Sequence, residues 1–200
     1  MGQFDRFAAV IVAAGYSSRM NQFKPLLPLG EITIIESTID SFIKAGIKNV
    51  LVVIGHNADL IKPVLEKRKV KWVYNPNYDD GMYTSIKVGV DELDHNLDGF
   101  FMMPADIPFV KPETVVKLAE AFLESGKLVV YPVLNERRGH PPLISSKVRH
   151  DILSYDGTGG LKTLLNRYSD EAYHLMVDDE GILMDLDTTE TYEALKNRTE

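Results

Sequence analysis

Residues Phe7 to Ala13, FAAVIVA, are apolar without a break, and Gly15 follows two positions later. A run this short, rich in Val and Ile and closed by glycine, makes a strand buried on both faces. That one feature commits the chain to a sheet covered on both sides, and the rest of the sequence supplies the covering layers. Ile34, Ile35, Thr38, Ile39, Phe42 and Ile43 recur at helical spacing until Gly46 stops them. Residues 49–54, NVLVVI, read as a second buried strand. Asn57 is then placed to cap a helix over residues 58–67, and a strand follows over 70–74. The alternation continues with a helix running to Leu93, a strand at 98–103, a helix at 112–124 and a strand at 128–133. Leu143 and Ile144 come next, then a helix at 161–168, strands at 172–177 and 182–184, and a last helix at 189–196. Strand and helix in turn predict a three-layer, Rossmann-like α/β fold with a mostly parallel sheet, and one antiparallel strand is expected after Gly139. With no repeat, linker or low-complexity stretch, residues 1–200 are expected to form one domain.

Composition narrows the chemistry. The 22 basic and 29 acidic side chains leave a formal charge of −7, which argues against a nucleic-acid partner. Cysteine is absent, so disulfides, thiolate metal sites and Cys nucleophiles are excluded. The start MGQFDRF lacks a secretory h-region, and no apolar run has the length to cross a bilayer. The expectation is a cytoplasmic protein with no membrane partner.

The turn after the first strand is the first candidate site. Gly15 allows backbone amides to approach a ligand, and Ser17, Ser18, Arg19 and Lys24 add hydroxyls and cations suited to a polyphosphate. This is neither the dinucleotide-binding Gly-x-Gly-x-x-Gly nor a P-loop, and an ordinary strand-to-helix turn with two solvated cations competes with it. Asp106 ends the 98–103 strand at the same sheet edge, where open parallel sheets bind ligands. A carboxylate facing a triphosphate needs a divalent cation between them, although a simple turn aspartate reads equally well. In the segment NPNYDDGMYTS, residues 75–85, polar residues precede a helix whose free amides suit an electronegative ligand edge. Asp79 or Asp80 capping that helix is the competing reading. Arg137 and Arg138 beside Gly139-His140-Pro141 suit an anionic second substrate, or form a solvated loop. Gly159 and Gly160 open a helix and leave amides uncovered there. Asp187 with Glu190 three residues on makes a good cap for the last helix.

Ala13-Ala14-Gly15-x-Ser17-x-Arg19-Met20 followed by Lys24-Pro25-Leu26-Leu27 closely resembles the signature loop of the MobA-like nucleotidyltransferases, with Asn21 where that family usually has glycine. The resemblance runs nearly the length of the chain and implies roles for particular residues. Ala13, Ala14, Gly15, Ser17, Ser18, Arg19 and Lys24 would wrap a nucleoside triphosphate, and Gly81 with Ser85 would hold its base. Asp106, in Ala-Asp-Ile-Pro, would bind Mg²⁺. Asp187 falls on a second metal-ligand position, with Asp185 as the alternative at that edge. Gly139, His140, Pro141, Gly159 and Gly160 would line the acceptor site. Arg19, Lys24 and Asp106 would carry the catalysis. Within the family, Ala-Ala-Gly in the first loop looks like the cytidylyl branch, which implies CTP and molybdopterin as substrates and a molybdoenzyme to receive the product. A cytidylyltransferase for a small sugar or polyol phosphate, and a nucleotide-binding module without turnover, are the alternatives.

Overall fold

The structure, a computed structural model, describes residues 2–16 and 22–196. Ser17, Ser18 and Arg19 lie outside the described residues.

The central strand is β1 (Phe7–Ala13), whose register shows why its apolar run is unbroken. It pairs in parallel with β4 (Asn49–Ile54) on one side and β6 (Gly99–Pro104) on the other. Its alternate residues therefore enter two separate cores. Phe7, Ala9, Ile11 and Ala13 join one cluster, while Ala8 and Val10 join the other. Between β1 and β4 come a short hairpin, β2 (Pro28–Leu29) with β3 (Ile32–Thr33), and helix α1 (Ile34–Lys44). Thr33 caps α1 in a reciprocal box with Glu36. Helix α2 (Ala58–Lys67) leads to β5 (Lys71–Tyr74) at the sheet edge, and α3 (Met82–Asp91) leads to β6.

After β6 come α4 (Pro112–Ser125), β7 (Val129–Leu134), the two-residue β8 (Arg137–Arg138) and β9 (Leu143–Ser145). Helices α5 (Arg149–Ser154) and α6 (Gly160–Leu165), strand β10 (Ala172–Met176) and helix α7 (Thr189–Leu195) complete the order. Among the described residues the main sheet has eight strands, ordered β10-β7-β9-β6-β1-β4-β5, with β8 added to β7. β9 runs antiparallel between β6 and β7, so the expected antiparallel strand after Gly139 is present. Helices α1, α2 and α4 bury Ile39, Phe42, Leu65, Leu118 and Phe122 on one face. Helices α3, α5 and α6 bury Ile86, Val90, Ile152 and Leu164 on the other. This is the three-layer α/β arrangement with a mostly parallel sheet. Among the described residues no helix is long and apolar enough to cross a membrane.

Local details depart from the sequence reading. Asn57 precedes α2 in a left-handed conformation, φ 54° and ψ 32°, and its side chain makes no capping bond. Asp79 and Asp80 do not cap α3: they form a 3₁₀ turn, and Gly81 at φ 101° takes the position before the helix. The helix expected over 161–168 ends at Leu165 and tightens into 3₁₀ geometry through Glu171. Residues 182–184 are not a strand, because Glu180–Leu183 is a 3₁₀ turn. The buried Asp179 imposes it by accepting from Gly181 N–H, Lys111 N–H and the Thr114 hydroxyl. Finally, the cap of α7 is Thr188, whose hydroxyl accepts from Thr191 N–H at 3.1 Å, and not Asp187.

Candidate active site

The shift of that cap by one residue leaves Asp187 to a different task. Its Oδ1 accepts from Lys24 Nζ at 2.9 Å, and Asp106 Oδ2 accepts from the same nitrogen at 3.0 Å. One ammonium therefore joins the turn after β1, the turn after β6 and the segment leading into α7. Lys24 begins a 3₁₀ turn with Pro25 behind it, and its side chain is only 10% exposed. Burial alone would push its pKa down, but hydrogen bonds and charge from Asp187 and Asp106 outweigh that and raise it.

The Asp106 turn is held from beneath by hydroxyls of α1. Thr38 donates to the Ala105 carbonyl at 3.0 Å, Ser37 to the Pro108 carbonyl at 2.8 Å and Ser41 to the Val110 carbonyl at 2.7 Å. From above, Leu186 N–H donates to the Asp106 carbonyl at 3.0 Å, which delivers Asp187 next door. Backbone bonds tie the strand ends together: Ala105 N–H to Val12 and His56 N–H to Ala14, at 3.0 and 3.1 Å.

These pieces enclose a cavity of about 260 Å³ lined by Ala13, Ala14, Gly15, Lys24, Ser85, Asp106 and Asp187, together with Tyr78 and Met82. The first seven were singled out in the sequence from four separate stretches, and the fold brings them to one place. Gly81 starts the helix that carries Ser85 and does not itself line the cavity. His140 is a neighbour of the acid site. Burial lowers its pKa, against the pull of Asp106, the Met102 backbone and Asp185. Its buried Nδ1 has no hydrogen-bond partner among the described residues. Gly139 N–H and His140 N–H are spent on the Pro132 and Ile182 carbonyls, both at 2.9 Å, and the His140-Pro141 peptide is cis. Gly159 and Gly160 stand apart from the cavity, and Gly160 N–H is spent on the Gly157 carbonyl. The uncovered helix-start amides expected there are therefore not all available.

Sequence reasoning missed the aromatic wall. Tyr78 is flanked by Tyr16, His56 and Tyr74, with ring centroids 5.6, 6.1 and 6.5 Å away. The Tyr16 hydroxyl donates to Asp79, which raises the tyrosine pKa to about 12 and ties the first loop to the 3₁₀ turn before α3. Gly55 makes this packing possible, because a Cβ there would lie 2.7 Å from Tyr78 Cβ and 2.9 Å from Ala14 Cβ. The only sequence signal was the density of Tyr and His at strand ends.

The acidic pair fits a hard divalent cation. Two carboxylates converge on one point now neutralised by an ammonium. Among the described residues no group of three or more His, Cys, Asp or Glu could cage a metal with protein atoms alone. Mg²⁺ commonly takes one or two carboxylates and completes its shell with water and substrate phosphate.

Comparison with known proteins places the chain in a family. Residues 9–172 match the MobA-like NTP transferase domain, so Asp187 lies beyond the matched stretch. The chain is 24% identical over 189 residues to the molybdenum cofactor cytidylyltransferase of Escherichia coli K12, covering 94% of this chain and 95% of that protein. It is 26% identical over 189 residues to the nicotine blue oxidoreductase of Paenarthrobacter nicotinovorans, covering 90% and 92%. Among solved structures, Rv0371c of Mycobacterium tuberculosis H37Rv superposes with a TM-score of 0.85 at 23% identity, over 97% of this chain and 98% of that one. A second Rv0371c structure, a complex with manganese, gives 0.77 at 21% identity over 95% and 97%. A nucleotidyl transferase from Methanothermobacter gives 0.82 at 26% identity over 98% and 97%. With four-fifths of its length inside the match, the chain belongs to the MobA-like NTP transferase family.

Proposed function

We propose that the protein transfers CMP from CTP to the phosphate of molybdopterin and releases pyrophosphate. The observation that carries this reading is the Lys24 ammonium held between Asp106 and Asp187 in the lining of the cavity. An acceptor phosphate oxygen attacks the α-phosphorus of CTP, the bond from that phosphorus to the bridging oxygen breaks, and its electrons leave with pyrophosphate. Such a transfer needs positioning and charge neutralisation more than covalent help from the protein. Lys24 moves from the carboxylates to the β- and γ-phosphates, and Arg19 joins it there. Asp106 and Asp187 are the residues that would hold Mg²⁺. When bound, that ion supplies Lewis-acid polarisation of the α-phosphate. The manganese complex of the structurally similar Rv0371c supports a divalent ion. The acceptor phosphate is already ionised, so no strong general base is required of the chain.

Cytidine is favoured over guanosine by the methyl of Ala14, which lines the cavity beside Gly55 and narrows the base site. The similarity to the Escherichia coli cytidylyltransferase supports CTP and molybdopterin as the substrate pair, with a molybdoenzyme to receive the product. His140 with Gly139 and Pro141 marks the acceptor side, beside Asp106. A small polyol phosphate acceptor is less well supported, because the curated relative matched over 94% of this chain is a molybdenum cofactor cytidylyltransferase. Pyrophosphate release from CTP, Mg²⁺ and molybdopterin tests the proposal. Release with a sugar phosphate in place of molybdopterin would change the acceptor. CTP binding without release from any acceptor would favour a module without turnover, and GTP preferred over CTP would overturn the base assignment.

A further inference from the structure

Asn75, at the end of β5, is completely buried. Its amide has one possible orientation. Oδ1 accepts from Asn77 N–H at 2.9 Å, a group that only donates, so Nδ2 must face the two hydroxyls of α3. It donates to Thr84 Oγ1 and to Ser85 Oγ, each at 2.8 Å. Thr84 passes its own proton to the carbonyls of Asn77 and Gly81, both at 2.8 Å. Ser85 is different. Its oxygen has received a hydrogen from Asn75, and among the described residues no protein acceptor takes the hydrogen that Ser85 carries. The residue is 1% exposed and lines the cavity with Ala14 and Tyr78. A buried hydroxyl with an unspent proton favours a ligand that presents an acceptor, since leaving a buried donor unpaired costs free energy.

We propose that Asn75 is a positioning residue that sets the sense of the Ser85 hydrogen bond. With Ser85 turned outward as a donor, the site selects a base offering an acceptor, such as the 2-oxo group or N3 of cytosine. The N1–H and 2-amino groups of guanine are donors, so against the outward hydrogen of Ser85 that edge makes the poorer match. The inference rests on the nucleotide reading above and adds to it the hydrogen-bond polarity of the base site, independent of the narrowing by Ala14. Asn75→Asp is the decisive change because it keeps shape while reversing polarity. A carboxylate still accepts from Asn77 N–H but has no N–H to give. Ser85 then donates to residue 75 and presents lone pairs to the cavity.

The experiment is titration calorimetry of CTP and GTP, each with Mg²⁺, against the wild type, Asn75→Asp, Ser85→Ala and the double variant. Wild type is expected to prefer CTP. Either single change should lower the CTP-to-GTP affinity ratio by at least about tenfold, the scale of one buried hydrogen bond. Adding Asn75→Asp to Ser85→Ala should change the ratio no further, which a merely structural role for Asn75 would not predict. An unchanged ratio in folded Asn75→Asp overturns the proposal, and so does an undiminished effect of Asn75→Asp in the Ser85→Ala background. Should Asn75→Asp fail to fold, Ser85→Ala decides alone, and an unchanged ratio there also overturns it. Failure of the nucleotide reading looks different: the wild type would bind neither triphosphate.

Discussion

Replacing Lys24 by Met keeps the length of the side chain and removes the charge between Asp106 and Asp187. Their oxygens lie 3.0 and 2.9 Å from the lysine nitrogen, so they cannot be further apart than the two distances end to end. Two unit charges separated by about 5 to 6 Å repel by roughly 3 kcal/mol at an effective dielectric constant of about 20. Asp106 is 27% exposed and Asp187 37%, so water screens part of the repulsion. The charge-assisted hydrogen bonds that are lost act in the same direction, and a net loss of about 2–4 kcal/mol is expected near neutral pH. In a chain of this size that lowers Tm by roughly 5–15 °C. The contribution has a definite pH window. Lys24 has a raised folded pKa, so its stabilisation is complete below its ordinary value of 10.5 and is lost as pH rises through the raised one. The gap between wild type and variant should therefore be steady through neutrality and close in strong alkali.

The assay is thermal unfolding with and without millimolar MgCl₂. With the ammonium gone, the cation takes its place between the carboxylates, so Mg²⁺ should raise the Tm of Lys24→Met more than that of the wild type. A variant that loses no stability, or gains no more from Mg²⁺ than the wild type does, would refute the idea that the two acids form one cation site.

Other consequences follow from the same geometry. Asp106→Asn should abolish pyrophosphate release while circular dichroism stays native, because a rim residue adds little to core packing; wild-type turnover would remove Asp106 from the chemistry. Gly55→Ala drives a Cβ into Tyr78 and Ala14 and should cost about 1–3 kcal/mol by overpacking. It should also weaken CTP binding in calorimetry, and unaltered affinity would show that the aromatic wall does not shape the base site. His140 has its pKa depressed by burial, so the fold loses stability as pH falls from 6.5 toward the lower folded value. His140→Gln should flatten that part of the urea-unfolding profile relative to the wild type, with His174, shifted in the same direction, common to both proteins. An identical slope in the variant would assign the pH dependence elsewhere.

The sheet was legible because its signal is local. Phe7–Ala13 and Asn49–Ile54 begin and end within one residue of their apolar runs, since strands buried on both faces leave little polar interruption to blur them. Lys24, Ser85 and Asp106 were legible as separate marks, each with a bland competing reading that only proximity in the fold could decide. The errors came where one side chain outbid a regional tendency. Residues 182–184 are apolar enough for a strand, yet Asp179 closes a 3₁₀ turn over them from a position that no periodicity records. Asp187 and Glu190 have capping spacing, but the hydroxyl of Thr188, one residue later, has the same spacing to Thr191 and takes the cap. The tie between Asn75 and Ser85 was invisible because a side-chain amide has no pattern of its own.

The tail that carries Asp187 follows every strand in chain order. Leu186 is buried against Leu29 and Ile34, and the Tyr192 hydroxyl donates to the Pro28 carbonyl at 2.7 Å, latching the tail onto the β2–β3 hairpin. The sheet owes nothing to this latch, whereas one of the two acids does. A protein shortened after Met184 would keep Asp179 and the buried Ile182 in place and lose Asp187 together with the Leu186 amide on the Asp106 turn, which gives a way at the bench to measure what the tail adds to the cation grip.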